Sequence, residues 1–338
     1  MEELGGLLFR LCSAPGAPGE ERPAGRAAAA EFPDSVKTAS DRMGNWKAEF
    51  GDPDANEHVL LDAHLDQIGM IVTGIDENGF LRVDRCGGTD ARVLPGGAVT
   101  VYGKEAVCGV VCCTPPHLND GGEDRVEPVD RLAVDAGLSR KRAEELIRPG
   151  DRILFRTRPK RLLGGRFAAA GLDDRASVAA LIRCAQLLSG ETLRCRVTVL
   201  LSSREEVGGQ GAMTGAFSVR PTQAIAVDVG FALQPGVPKE KCGTLGGGPM
   251  IGIAPILDRR ITDRLIRTAE EKGMPWKRDV MGGSTGTNSD GIATAGAGVP
   301  TGLVSIPLRY MHTPAEVVDL RDIENTAQLL AAYLREVA

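Results

Sequence analysis

Residues 197–201 form an apolar run that empties into two neighbouring acids, Glu205 and Glu206, and a glycine pair, Gly208 and Gly209. β-Branched and aliphatic residues without three-four spacing predict a buried strand, and the glycines end it. Neighbours on a strand face opposite sides. Two consecutive glutamates therefore serve one site only where the strand has given way to a turn. Taken alone, a Glu-Glu pair is ordinarily a solvated acidic loop. The acids and histidines delivered by other segments decide whether this pair belongs to a site.

Those segments repeat the layout. Residues 59–63 predict a buried strand ending at His64, residues 224–229 one that carries Asp228, and residues 301–306 a last one before the turn RYMHTPAE, which holds His312. Between them lie helical patterns. Leu4, Leu7, Leu8 and Leu11 share a face over residues 2–12, residues 174–188 are apolar around most of their circumference, and residues 262–272 read as another helix. Ile323, Ala327, Leu330, Leu334 and Val337 form the stripe of a closing helix. The stretches 243–252 and 282–298 are rich in glycine and small polar residues and predict loops. Alternating strands and helices predict an α/β class.

Residues 67–164 differ in texture. Short β-like runs (IGMIV, FLRV, AVTVYG, CGVVCC, ILF) alternate with turn signals, with one helical stretch at 135–146, the pattern of a small antiparallel barrel or sandwich. The segment lies between two α/β parts and is therefore expected to be an inserted domain.

A chain of 338 residues, 42% of them hydrophobic, can furnish one large core or two modest ones. Its 40 basic and 45 acidic residues leave a net charge of −5, which provides no electrostatic footprint for nucleic acid or an anionic membrane. No signal-peptide pattern and no eighteen-residue apolar run occurs, so a cytoplasmic protein without membrane partners is expected. Eight cysteines lack paired CxxC spacing and sit mostly within apolar runs, as reduced core thiols do.

His64, Asp173, Glu205, Glu206, Asp228 and His312 all fall at predicted strand ends or in the loops beyond them, where open α/β sheets gather their sites. Two histidines with several carboxylates and no thiolate suit zinc, cobalt or manganese. Each residue also has a plain structural reading. Asp173 and Asp174 could cap the helix that follows, Arg175 could pair with either, and His312 beside a proline turn could be a hydrogen-bonded packing residue.

The segments AHLDQIG, GLDDRASVA, REEVGGQGA, AVDVG and RYMHTPAE occur in the order found in the tetrahedral (TET-type) metallo-aminopeptidases, the group with bacterial glutamyl and deblocking aminopeptidases. The chain resembles that family over nearly its whole length, including GFLRVDRCGG in the inserted part. The resemblance implies a zinc-peptidase-like α/β/α catalytic domain (1–66 and 165–338) and an inserted β-barrel dimerisation domain (67–164). It implies two divalent ions per subunit, zinc or cobalt with manganese as the third choice, bridged by Asp173. His64 and Asp228 would complete one ion, Glu206 and His312 the other. Glu205 would be the general base, Asp66 would accept a hydrogen bond from His64, and the Asp173–Asp174 peptide bond would be cis. Short peptides would be the substrates, and dimers would assemble into a tetrahedral dodecamer.

Two positions depart from the family pattern: Gln67 stands where glutamate is usual, and the text around Asp290 is longer and more polar, so that pocket wall is expected to differ. The rival readings are a deacylase or carboxypeptidase on the same scaffold, because fold and metals do not fix the bond cleaved, and a non-catalytic relative, against which the intact Glu205 argues.

Overall fold

The computed structural model describes residues 1–115 and 126–337. Helices α1 (Glu2–Ser13) and α2 (Arg22–Ala29) precede β1 (Lys37–Ser40), β2 (Trp46–Gly51) and β3 (His58–His64). Next come β4 (Gly69–Ile75), β5 (Leu81–Cys86), β6 (Ala98–Tyr102), β7 (Ala106–Val111), β8 (Ala133–Asp135), α3 (Arg140–Leu146) and β9 (Arg152–Phe155). β10 (Lys160–Arg161), β11 (Arg166–Ala169), α4 (Leu172–Leu187), β12 (Arg196–Ser202), α5 (Gln210–Val219) and β13 (Gln223–Phe231) follow. The chain ends with β14 (Met250–Ile253), α6 (Arg259–Glu271), β15 (Lys277–Val280), α7 (Asn288–Ala293), β16 (Thr301–Leu308), β17 (Glu316–Asp319) and α8 (Leu320–Glu336).

The main sheet has the order β1-β2-β12-β3-β13-β16-β14-β15. Its central strands β12, β3, β13 and β16 are parallel. Every residue of β3 and β16 is buried, which is why these strands read as unbroken apolar runs. Alternation sorts their side chains between two layers. Val59, Leu61, Val197, Val199 and Leu201 pack with α1, α4 and α8, whereas Leu60, Leu200 and Ala224 pack with Ala212 and Ala216 of α5 and Ile292 of α7. The result is α/β/α. α4 is buried around nearly its whole circumference, as its sequence predicts.

Strands β4-β5-β8-β7-β6-β9 close a barrel with a separate core that includes Met70, Val83, Val99, Val101, Val134 and Ile153. Of the barrel and sandwich alternatives, the chain adopts the barrel, which leaves no free sheet edge. β10, β11 and β17 form a small third sheet, in which Ala169 pairs with Glu316. It brings the chain entering Asp173 alongside the chain leaving His312. No helix among the described residues is long and apolar enough to cross a membrane.

Several elements differ from the sequence reading. α3 begins at Arg140, because Asp135 closes β8 and the Ser139 side chain accepts the Arg142 N–H as an N-cap. The stretch 282–298 contains α7, capped by Thr287 through the Ser289 N–H. Strands β1, β14, β15 and β17 carry no clear apolar alternation; all four residues of β1 are exposed.

Gly211, in the first turn of α5, abuts the end of β12. A Cβ there would lie 2.2 Å from the Ser203 carbonyl oxygen. Gly211→Ala is expected to lower unfolding free energy by about 1–3 kcal/mol, read as an earlier midpoint in guanidinium denaturation.

Candidate metal centre

Parallel register sets the site. Ser202 pairs with His64 across β12 and β3, so the histidine and the turn after β12 leave the sheet at the same level. Asp228 lies on β13, on the other side of β3. Asp173 and Asp174 start α4 with non-helical angles and a cis peptide bond between them, as the resemblance implies.

All seven expected residues meet here. Two oxygens of one carboxylate face two different rings: His64 Nε2 lies 3.0 Å from Asp173 Oδ1, and His312 Nε2 lies 3.2 Å from Asp173 Oδ2. His312 Nε2 is 3.6 Å from Glu206 Oε1, while His64 Nε2 is 3.9 Å from Asp228 Oδ1 and 4.0 Å from Glu205 Oε2. Ligand atoms of His64, Asp173 and Glu206 lie within 4.8 Å of one another, as do those of His64, Asp174 and Asp228. Each set could hold a metal ion.

The turn that presents Glu205 and Glu206 is held by acceptors from three distant segments. The Ser203 amide donates to Asn45 Oδ1 at 2.9 Å and the Arg204 amide to Glu21 Oε1 at 3.1 Å. The Glu205 and Glu206 amides donate to Asp66 Oδ1 and Oδ2 at 2.9 and 3.0 Å. Asp66 also accepts from His64, through its main chain and not its carboxylate. His64 Nδ1 sits 2.9 Å from the main-chain oxygen of Asp66 and 3.7 Å from its carboxylate, which is committed to the turn. A histidine ring oriented by a main-chain carbonyl presents its other nitrogen as a ligand.

Charge in the cluster is unbalanced. Burial works against the Asp173 carboxylate, but hydrogen bonds with His312 and His64 hold it below the usual range. Glu206 is pushed up to about 10 by burial and by repulsion from Asp173. Burial also raises Asp228 and Glu205, with repulsion from Asp173 adding to both and His64 opposing. Burial opposes the charged form of His64, yet Asp173 and Glu205 raise it well above its ordinary value.

Three further residues act on this cluster; sequence alone assigns no such role to Glu316 or Gly88 and reads Asp174 only as a cap and as half of the cis bond. Glu316, fully buried on β17, accepts the Asp173 amide at 3.2 Å and the His312 amide at 2.9 Å. Its only signal was its place in RYMHTPAE. Gly88, after β5 of the barrel, lies so close to His312 that a Cβ would stand 2.5 Å from Nδ1. Asp174 Oδ2 accepts the His64 amide at 3.2 Å. Arg175, by contrast, pairs with neither aspartate: its buried guanidinium donates to the Leu11 carbonyl oxygen, and Nε and Nη2 have no partner among the described residues. The Gln67 side-chain oxygen is likewise buried without a partner.

The cluster opens into a cavity of about 710 Å³ that reaches from His64, Asp173 and Glu206 past Ser305 and Leu303 to Asp279 and Val280. The loop around Asp290 forms its rim. There Asp290 accepts the Thr285 amide and hydroxyl and the Gly286 amide, folding the polar text back on itself.

The model of the M42 glutamyl aminopeptidase family matches residues 44–329. The chain belongs to that family. Lysyl aminopeptidase of Pyrococcus furiosus is 34% identical to this M42 chain over 309 residues, covering 90% of the chain and 88% of the relative. An aminopeptidase of the archaeon Desulfurococcus kamchatkensis superposes with a TM-score of 0.93 at 32% identity, covering 99% of this chain and 95% of that one. The Pyrococcus horikoshii TET1 peptidase, which can assemble into a tetrahedron or a large octahedral shell, gives 0.87 at 31% identity, with 99% and 100% covered. Membership in M42 makes the protein a divalent-metal peptidase.

Glu316→Ala leaves two buried amides without their shared acceptor. It is expected to weaken metal retention about 10–100-fold, measured as metal content after dialysis against graded chelator; retention equal to the parent would contradict the role.

Proposed function

We propose that the protein removes N-terminal residues from short peptides using two divalent ions per subunit, zinc or cobalt, with manganese as the third choice. The observation that carries this reading is the pair of histidine contacts on the two oxygens of Asp173 at the head of a large cavity. The donor chemistry fits such ions. Two imidazoles and at least three carboxylates converge, and Glu206 and Asp228 are held above their ordinary pKa by burial and by repulsion from neighbouring acids, which a cation relieves.

In this assignment His64 and Asp228 would hold one ion and Glu206 and His312 the other, with Asp173 shared between them. When bound, the ions acidify water and stabilise charge on the scissile carbonyl oxygen. Glu205 takes the proton of the attacking water and returns it to the departing amine. Burial raises its carboxyl above the ordinary range, the direction that favours returning a proton once taken. Asp66 fixes the main chain of the turn so that Glu205 and Glu206 take separate roles. Asp174 supports His64 through its amide.

Residues 1–66 and 165–338 are assigned to the catalytic domain and residues 67–164 to an inserted dimerisation domain. Assembly through dimers to a tetrahedral dodecamer is supported by the similarity to the TET1 peptidase. It is also supported by apolar side chains that nothing covers within one subunit, Leu163 at 95% exposure among them, just beyond the barrel. All eight cysteines are free, which suits the reducing cytoplasm.

Glu205→Gln is expected to retain metal and assembly state while turnover falls about 10²–10⁴-fold. Near-normal kcat on an aminoacyl nitroanilide would exclude the base role. Dialysis against a chelator is expected to abolish hydrolysis, and cobalt or zinc to restore it. A dialysed sample that keeps its rate and contains no metal would exclude the metal mechanism.

A further inference from the structure

The family description names a glutamyl enzyme and a similar protein is a lysyl one, so names leave open which N-terminal side chain this cavity receives. Resting on the aminopeptidase reading above, we infer that Asp279 is the specificity-determining residue and that it selects substrates with an N-terminal lysine or arginine.

The first support is position. Asp279 lines the same cavity as His64 and Asp173. It pairs with Gly252 across β15 and β14, Ile251 of β14 pairs with Val304 of β16, and Val304 pairs with Val227 of β13. Three strand spacings therefore separate Asp279 from the strand of Asp228, roughly 14 Å at about 4.8 Å each. A residue whose carbonyl lies at the metal cluster extends its side chain across Ser305 and Leu303 toward Asp279. Lysine and arginine, at roughly 6–7 Å from Cα to the charged end, have the reach. Leucine ends on the apolar floor, and glutamate arrives shorter and with the wrong sign.

The second support is that this carboxylate is uncommitted. Asp279 is half-buried, and among the described residues it makes no hydrogen bond and no ion pair. Its basic neighbours are occupied. Arg278, on the opposite face of β15, has its guanidinium 5.4 Å from the centre of the Trp276 ring, and Lys277 Nζ donates to the Cys242 carbonyl oxygen. Burial raises the Asp279 carboxyl and Lys277 only partly opposes it, so an incoming cation would satisfy a group that nothing else does. The cavity's other charged wall residue, Lys241, is exposed to solvent, where its field is screened.

The test uses full-length, cobalt-loaded protein with lysyl, arginyl, leucyl and glutamyl p-nitroanilides. Expected is kcat/KM for lysyl and arginyl at least about tenfold above glutamyl, with Asp279→Asn losing about tenfold or more on the basic substrates and leucyl unchanged within about twofold. Asp279→Glu should keep the basic preference, and Asp279→Lys should shift it toward glutamyl. Free L-lysine should inhibit leucyl hydrolysis more strongly than L-norleucine, and this difference should vanish in Asp279→Asn at equal metal content. The inference is overturned if leucyl is cleaved while lysyl holds no advantage over glutamyl, if Asp279→Asn leaves the preference unmoved, or if Lys241→Ala governs it instead. No hydrolysis of any of the four would overturn the aminopeptidase reading itself, and this inference with it.

Discussion

The site depends on the hydrogen bonds that Asp66 accepts from the amides of Glu205 and Glu206. A buried parallel strand that stops abruptly leaves a row of amide donors with no ladder partner, and buried donors need one. Here four consecutive amides are satisfied by Asn45, Glu21 and both oxygens of Asp66. The arrangement converts the end of β12 into a rigid turn, with Arg204 in a left-handed conformation (φ 60°). Charge-assisted bonds of this kind are shorter and stronger than neutral ones. Because the acceptors lie far away in sequence, the turn forms only when the first sixty-six residues have docked on the strand that follows α4.

The same device recurs on the opposite side of the cluster. Glu316 gathers the amides of Asp173 and His312, and Asp174 takes the amide of His64. Each orienting group is itself acidic. Acids that hold the frame therefore stand behind acids that face the cavity; burial pushes the carboxyls of Asp174 and Glu316 up, and a nearby cation lowers the cost of keeping so many acids together. Arg175, fully buried behind Asp174, supplies one, and its charge is felt by Cys12 at the back of the site. The remaining imbalance falls on Glu206 and Asp228, whose raised carboxyls make the cluster receptive to divalent metal.

The legible part of this architecture was whatever burial writes into side-chain periodicity. β3, β12, β13 and β16 are covered on both faces, and α4 and α8 present long apolar stripes, so each left a run that period alone could recognise. The residues at the ends of those runs were legible for the same reason, since strand ends are where an open sheet places its chemistry. Edge strands such as β1, exposed throughout, and β15, exposed at alternate residues, are short and leave no such trace. Acceptors of main-chain amides are harder still. Nothing about Glu316 distinguishes it from a surface acid until the amide it serves is located, and the resemblance that singled out Asp66 gave no sign that its carboxylate holds the turn. Gly88 was quoted within a motif, but its closeness to His312 follows from how the barrel docks. The cavity wall at Asp279 depends on strand order, which places β15 outside β14 although they are separated by α6.

The central claim is that acids and imidazoles from five separate segments enclose two cations on either side of one carboxylate. Its most direct measurement is anomalous diffraction at the zinc or cobalt edge from crystals of metal-loaded protein. The account predicts two peaks flanking Asp173, one beside His64 and Asp228 and the other beside His312 and Glu206. A single peak, or peaks away from Asp173, would contradict it.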